Sequence, residues 1–198
     1  MVESHVLYKG LVTEQTSLAV NHILPNILKQ INPANILEVG TAEGGLTTFL
    51  SDQCPDSEIL TIEILDFYNY NFRAGVTSVI GNFFSEEILS IASEFIKKPG
   101  ISLVLCDGGN KSREFAFLAN YLKVGDYIAA HDYCFSWEIF KSKFQNKIWN
   151  YCRITESHIH QICVNHSLEN KFENSQEGLW IIKQKTSENK NNLPNSII

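Results

Sequence analysis

The chain has 198 residues, of which 44% are hydrophobic and 19% charged, enough apolar side chain to bury a sizeable core and too patterned for disorder. Sixteen Lys and Arg against 22 Asp and Glu leave a net charge of −6 at pH 7, which argues against a nucleic acid or an anionic membrane held by bulk charge. The five cysteines, Cys54, Cys106, Cys134, Cys152 and Cys163, are odd in number and form no C-x-x-C pair. They read as reduced thiols of a cytoplasmic protein, and not as a disulfide framework or a structural zinc site.

Residues 1–10 show neither the basic region nor the apolar stretch of a signal peptide. No apolar run approaches the roughly 20 residues that cross a bilayer. The length predicts one domain over 1–185, with 1–34 as an N-terminal helical cap, 133–177 as a variable substrate-side region and 186–198 as a flexible tail.

In chain order, residues 14–31 place Leu18, Ile23, Leu24, Ile27, Leu28 and Ile31 on one helical stripe, which Pro25 should kink or restart. A first strand, Asn35-Ile36-Leu37-Glu38-Val39, ends at Gly40, and a helix over 44–52 follows. The second strand is 58–63, and the third, 76–80, ends at Gly81. Ser85 is a natural N-cap for a helix over 85–97, with Glu86 and Glu87 suited to its first turn and Ile88, Ile91, Ala92 and Phe95 at helical spacing. The fourth strand is 101–107, a helix covers 112–123, and the fifth strand is 127–132. Beyond Cys134 the pattern weakens: a helix near 136–144, a strand near 150–154 and a last strand at 178–183. Strands alternating with helices predict an α/β fold, a mostly parallel seven-stranded sheet with helices on both faces in three layers.

Four acids, Glu38, Glu63, Asp107 and Asp132, stand at the C-terminal ends of predicted strands, the edge where open α/β sheets bind ligands. A carboxylate at the rim of an apolar core needs a donor or a cation beside it. The loop Glu38-Val39-Gly40-Thr41-Ala42-Glu43-Gly44-Gly45 lacks the G-x-G-x-x-G of a dinucleotide site, since Ala42 takes the second glycine position. No Gly-Lys-Ser/Thr follows, and Glu43 would repel a phosphate. The loop suits a ligand without phosphate.

These residues resemble the class I S-adenosylmethionine-dependent methyltransferases. Glu38-Val39-Gly40 through Gly44 looks like their first motif, and Glu63, 23 residues beyond Gly40, matches the acid that holds the ribose hydroxyls. The resemblance implies a Rossmann-like doubly wound fold, with Glu38, Gly40, Thr41, Gly44, Glu63 and Asp107 around the cofactor and Asn82 and Phe83 near adenine. Phe83 also suits an ordinary core position.

The segments 103–111 and 124–133 look like the fourth- and fifth-strand motifs of cation-dependent small-molecule O-methyltransferases, of the catechol type or of the group named after cephalosporin hydroxylase, which includes sugar O-methyltransferases. The resemblance implies a divalent ion, usually Mg²⁺, on Asp107, His131 and Asp132. Two positions depart from the pattern. Relatives usually carry an acid where His131 stands, and magnesium prefers oxygen ligands. The catechol type places a lysine where Asn110 stands, and here Lys111 follows one residue later.

The resemblance therefore implies methyl transfer from S-adenosylmethionine to a hydroxyl of a small molecule or sugar. A metal held by Asp107 and Asp132 would orient the reacting oxygen and lower its pKa, with His131 or Lys111 as base; Lys111 reads equally as a solvated surface charge. The alternatives are an inactive S-adenosylmethionine-binding scaffold and a nicotinamide-dependent oxidoreductase. A homo-oligomer stays open. His158 and His160 alternate with Ile159 and share a face if that stretch is a strand; they and His166 read as surface residues. Trp137, Trp149 and Trp180 read as core or lid residues.

Overall fold

Seven strands of this chain pair into one sheet in the order β10-β11-β7-β6-β3-β4-β5, in a computed structural model that describes residues 6–66 and 71–189. The elements run β1 (Leu7–Tyr8), β2 (Leu11–Val12), α1 (Leu24–Ile31), β3 (Asn35–Val39), α2 (Gly45–Gln53), β4 (Glu58–Glu63), β5 (Val76–Ile80), α3 (Glu86–Ile96), β6 (Ser102–Cys106), α4 (Lys111–Leu118) and β7 (Tyr127–Ala130). They continue with β8 (Tyr133–Cys134), α5 (Trp137–Lys143), β9 (Ile154–Thr155), α6 (Glu156–His166), β10 (Leu168–Asn170) and β11 (Ile181–Lys185).

The strands from β3 to β7 pair in parallel, while β11 runs antiparallel to β7 and to β10. Successive side chains of a strand face opposite sides of the sheet, and both sides are apolar here. Leu37, Val39, Leu60, Ile62, Val104, Cys106, Ile128 and Ala130 pack with α3, α4 and α6. Ile36, Ile59, Leu103, Leu105 and Ala129 pack with α1 and α2 on the other side. This is the expected doubly wound Rossmann-like arrangement, with helices on both faces.

Pro25 acts as its chemistry requires. It lies in the first turn of α1, directly after a π-helical turn over Ala19–Ile23 in which Leu24 N–H reaches back to the Ala19 carbonyl. Ser85 caps α3 by accepting from Ile88 N, and Ile88, Ala92 and Phe95 are buried while Ile91 stays exposed. All five cysteines are free and buried.

Three sequence expectations change. The strand expected near 150–154 is reduced to β9, which pairs with β8 outside the main sheet. The seventh strand of the sheet is instead β10, in a stretch whose local pattern did not announce it. Residues 156–166 form α6, so His158 and His160 point to different sides of a helix, and His158 Nδ1 accepts from Thr155 N to complete a capping box. In the segment expected as a helical cap, residues 7–12 make a β1–β2 hairpin. Of the expected tail, 190–198 lie outside the described residues.

Candidate functional site

The chain enters the C-terminal edge of the sheet through the loop after β3, where Gly40, Ala42 and Gly44 all have positive φ. Gly40 is required: at φ +95° a Cβ would lie 2.5 Å from the Asp107 carbonyl oxygen. That close approach brings the β3 and β6 loops together. On the far side of the loop, Val12 N–H donates to Glu43 Oε2 at 3.2 Å, and a Cβ on Gly45 would meet the Val12 carbonyl at 2.3 Å. The backbone of β2 thus covers the start of α2, the place where a dinucleotide would lay its pyrophosphate.

Glu38 is fully buried. Its Oε2 accepts from Thr47 Oγ1 and Thr61 Oγ1, each at 2.5 Å, and Thr61 also meets Thr41 Oγ1 at 2.5 Å. Its Oε1 is buried and makes no hydrogen bond. Burial pushes the carboxyl up to about 8, and the two threonine hydroxyls offset only part of that. Glu63, at the end of β4, accepts from Ala42 N at 2.8 Å through Oε2 and from Ile64 N at 2.7 Å through Oε1.

Two cavities meet along this edge. The larger, about 350 Å³, is polar and is lined by Thr41, Glu63, Asp107, Lys111, Asp132 and Tyr151 among others. The second, about 230 Å³, is mainly apolar and lies among Ile64, Asn82, Phe83 and Phe84. Gly40, Glu63, Gly108 and Gly109 line both. Phe83 is also a core residue, edge-on to Phe117 at 6.2 Å. Asn82 is exposed, and its side chain accepts from Phe84 N at 3.0 Å. Gly44, the left-handed N-cap of α2, shapes the loop through its backbone.

At the far end of the polar cavity, β6 and β7 deliver Asp107, His131 and Asp132. Lys111, the first residue of α4, is only 5% exposed, with Nζ 3.0 Å from Asp107 Oδ1, 3.4 Å from Asp132 Oδ2 and 2.9 Å from the Gly108 carbonyl. Burial would lower its pKa, but the two aspartates outweigh that and the net shift is upward, so it is an ammonium at neutral pH. For Asp107 burial works upward, and Lys111 and His131 overcome it to give a net lowering. His131 is also buried: Nδ1 lies 3.1 Å from Asp107 Oδ1 and 3.6 Å from Asp132 Oδ1, and its ring stacks on Trp180 with centroids 5.0 Å apart. Facing carboxylate oxygens, Nδ1 carries the hydrogen; Nε2 is buried and makes no hydrogen bond.

Four side chains to which the sequence reading gave no part in the site complete this end. Gln15 Nε2 donates to Asp107 Oδ2 at 2.9 Å, and Gln15 Oε1 accepts from Trp180 Nε1 at 2.9 Å. Trp149 Nε1 donates to Asp132 Oδ1 at 2.6 Å, and the exposed Arg153 places Nε 3.6 Å from Asp132 Oδ2. Asp132 itself has φ +57°, a conformation that a non-glycine residue holds only where its surroundings enforce it. Among the described residues, no group of three or more His, Cys, Asp or Glu side chains is arranged to hold a metal ion. Trp137 is exposed, away from this cluster.

The edge so built carries an acid at or near the end of each of β3, β4, β6 and β7 with a glycine-bearing loop between, on a Rossmann-like fold shared with solved methyltransferase structures. No protein-family model and no curated protein sequence matches the chain. Among solved structures, it is similar to the apo form of CmcI, with a TM-score of 0.67 at 13% identity over 92% of this chain and 77% of that one. CmcI with magnesium and S-adenosylmethionine gives 0.62 at 14% identity, over 90% and 76%. A Staphylococcus aureus structure assigned as a caffeoyl-CoA O-methyltransferase gives 0.57 at 16% identity, over 84% and 83%. No helix among the described residues is long and apolar enough to cross a membrane.

Proposed function

We propose that this chain binds S-adenosylmethionine and transfers its methyl group to a hydroxyl of a small molecule or sugar. The observation that carries the reading is the two-part cleft joined at Glu63. Its polar part, lined by Thr41, Asp107 and Asp132, suits a cationic amino-acid end, and Glu38, fully buried with Oε1 unpartnered, adds an acid that lines neither cavity. Its apolar part offers Phe83, Phe84 and Ile64 to a flat base. Glu63, between the two, suits a ribose, since a carboxylate accepts from paired hydroxyls. The covered start of α2 and Glu43 disfavour a dinucleotide, and with it the oxidoreductase alternative.

When bound, the cofactor supplies an electrophilic methyl group on its sulfonium. The chain's residues then have to seat a hydroxyl in line with that methyl, and positioning supplies much of the rate. Asp132, which lines the cleft on a left-handed backbone, would accept the hydrogen bond of the substrate hydroxyl and take its proton as the oxygen–carbon bond forms and the methyl–sulfur bond breaks to leave a neutral thioether. Lys111 is charged and His131 Nδ1 is engaged by Asp107, so in this reading neither is the base. Both hold the carboxylates in place.

Calorimetry tests the reading with S-adenosylmethionine, S-adenosylhomocysteine and NAD. Binding of both sulfur compounds and not of NAD is expected. Failure of either sulfur compound to bind overturns it. Binding without turnover in a screen of sugars and phenols, unchanged by Asp132→Asn, would favour the scaffold alternative.

A further inference from the structure

The strand-end acids sit where the resemblance leads one to expect a divalent ion, yet the residues present do not fit one. Each oxygen of the pair already faces nitrogen donors. Asp107 Oδ1 has Lys111 at 3.0 Å and His131 at 3.1 Å, and Asp107 Oδ2 has Gln15 at 2.9 Å. Asp132 Oδ1 has Trp149 at 2.6 Å, and Asp132 Oδ2 has Lys111 at 3.4 Å and Arg153 at 3.6 Å. A hard ion such as Mg²⁺ needs near-octahedral oxygen ligands at roughly 2.0–2.1 Å. Here the third position holds a histidine whose Nδ1 donates to a carboxylate instead of offering a lone pair.

We infer that Lys111 is the site's built-in cation: its ammonium group bridges Asp107 and Asp132 in place of a divalent metal, and the site takes up none. This deepens the methyl-transfer reading, on which it rests for the purpose of the site.

The placement of Lys111 follows from a shift of one residue. Asn110, at the position where the catechol type has its lysine, is the N-cap of α4 and accepts from Arg113 N. Lys111 is then the first helical residue, and one step along a helix turns a side chain by roughly 100°. That turn carries the amine inward to the acids, where Nζ lies within 3.4 Å of an oxygen of Asp107, of Asp132 and of the Gly108 backbone. The two departures from the family pattern work in the same sense: Lys111 brings a positive charge between the two carboxylates, and His131 stands where relatives usually carry a further acid.

The test is a Mn²⁺ titration of the full chain after chelator treatment, followed by electron paramagnetic resonance, with and without S-adenosylhomocysteine. Wild type and Lys111→Arg should take up Mn²⁺ only in the millimolar range, with no change on Asp132→Asn. Lys111→Ala frees two buried carboxylates and should gain at least tenfold in Mn²⁺ affinity, with its thermal stability rising on Mn²⁺ addition. One equivalent bound by wild type at micromolar concentration, and lost in Asp132→Asn, overturns the inference. So does a folded Lys111→Ala that gains no affinity. If Lys111→Ala does not fold, the wild-type titration decides alone. The outcome is separable from the methyl-transfer reading, because S-adenosylhomocysteine binding is measured in its own experiment.

Discussion

Trp149 donates its indole N–H to Oδ1 of Asp132 at 2.6 Å, and both residues are buried. The bond ties the segment between α5 and β9 to the end of β7. Without it, a carboxylate held at φ +57° loses its shortest donor. Trp149→Phe keeps most of the ring but deletes that donor, and should destabilise the fold by roughly 1.5–3 kcal/mol, the range for hydrogen bonds to charged groups. Thermal denaturation should show a loss of about 3–12 °C for a chain of this size. An unchanged Tm would mean that Arg153 and Lys111 suffice to hold Asp132.

Gly40 is the narrowest point of the site. Gly40→Ala puts a methyl group 2.5 Å from the Asp107 carbonyl, on a backbone at φ +95°. The β6 loop has to move, and with it Asp107 and the glycines that line both cavities. S-adenosylhomocysteine affinity should drop by at least about tenfold, or ~1.4 kcal/mol, as read by calorimetry. Gly125→Ala is the control, since it shares the left-handed backbone at φ +97°, a Cβ there meets nothing within 4 Å and it lines neither cavity. Equal affinity in the two variants would remove Gly40 from the cofactor site.

Much of this architecture is legible in the sequence because it is local. The parallel strands β3 to β7 are short apolar runs, most with a glycine close to one end, the Ser85 cap sits three residues before the amide it binds, and the acids of the site stand at or near strand ends. The missed residues share a different property. Gln15 reaches Asp107 across 92 positions and Trp180 reaches Gln15 across 165, so no periodicity connects them. β10 is three residues long and owes its existence to the edge of β11, a tertiary context that propensity does not carry. His158 and His160 mislead for the converse reason: alternation over three residues fits a strand or a helix, and the Thr155 cap decides for the helix.

Glu63 links the two cavities, and its carboxylate already serves the amides of Ala42 and Ile64. Glu63→Gln keeps the size of the side chain but halves its accepting capacity and removes its charge. Charge-assisted hydrogen bonds are roughly twice as strong as neutral ones. S-adenosylhomocysteine affinity should therefore fall by about tenfold, while affinity for homocysteine, which lacks the ribose, stays the same. A parallel loss for both would place Glu63 at the amino-acid end instead.

Glu38 makes the site sensitive to pH. Burial first, offset in part by Thr47 and Thr61, raises its carboxyl from 4.5 to about 8, so the folded chain holds a proton that the unfolded chain releases. That contribution to stability is fully present below about pH 4.5 and is lost as pH rises through about 8. Between those limits the Tm of the ligand-free wild type should fall relative to that of Glu38→Gln, whose amide cannot ionise. A cationic ligand in the polar cavity favours the charged carboxylate of Glu38 and so draws the proton off. At pH 7, S-adenosylmethionine should release close to one proton per molecule bound, measured by calorimetry in buffers of different ionisation heat, and affinity should rise toward pH 8. Glu38→Gln should release none. Proton release that survives this substitution would assign the linkage to another group and leave Glu38 a purely structural acid.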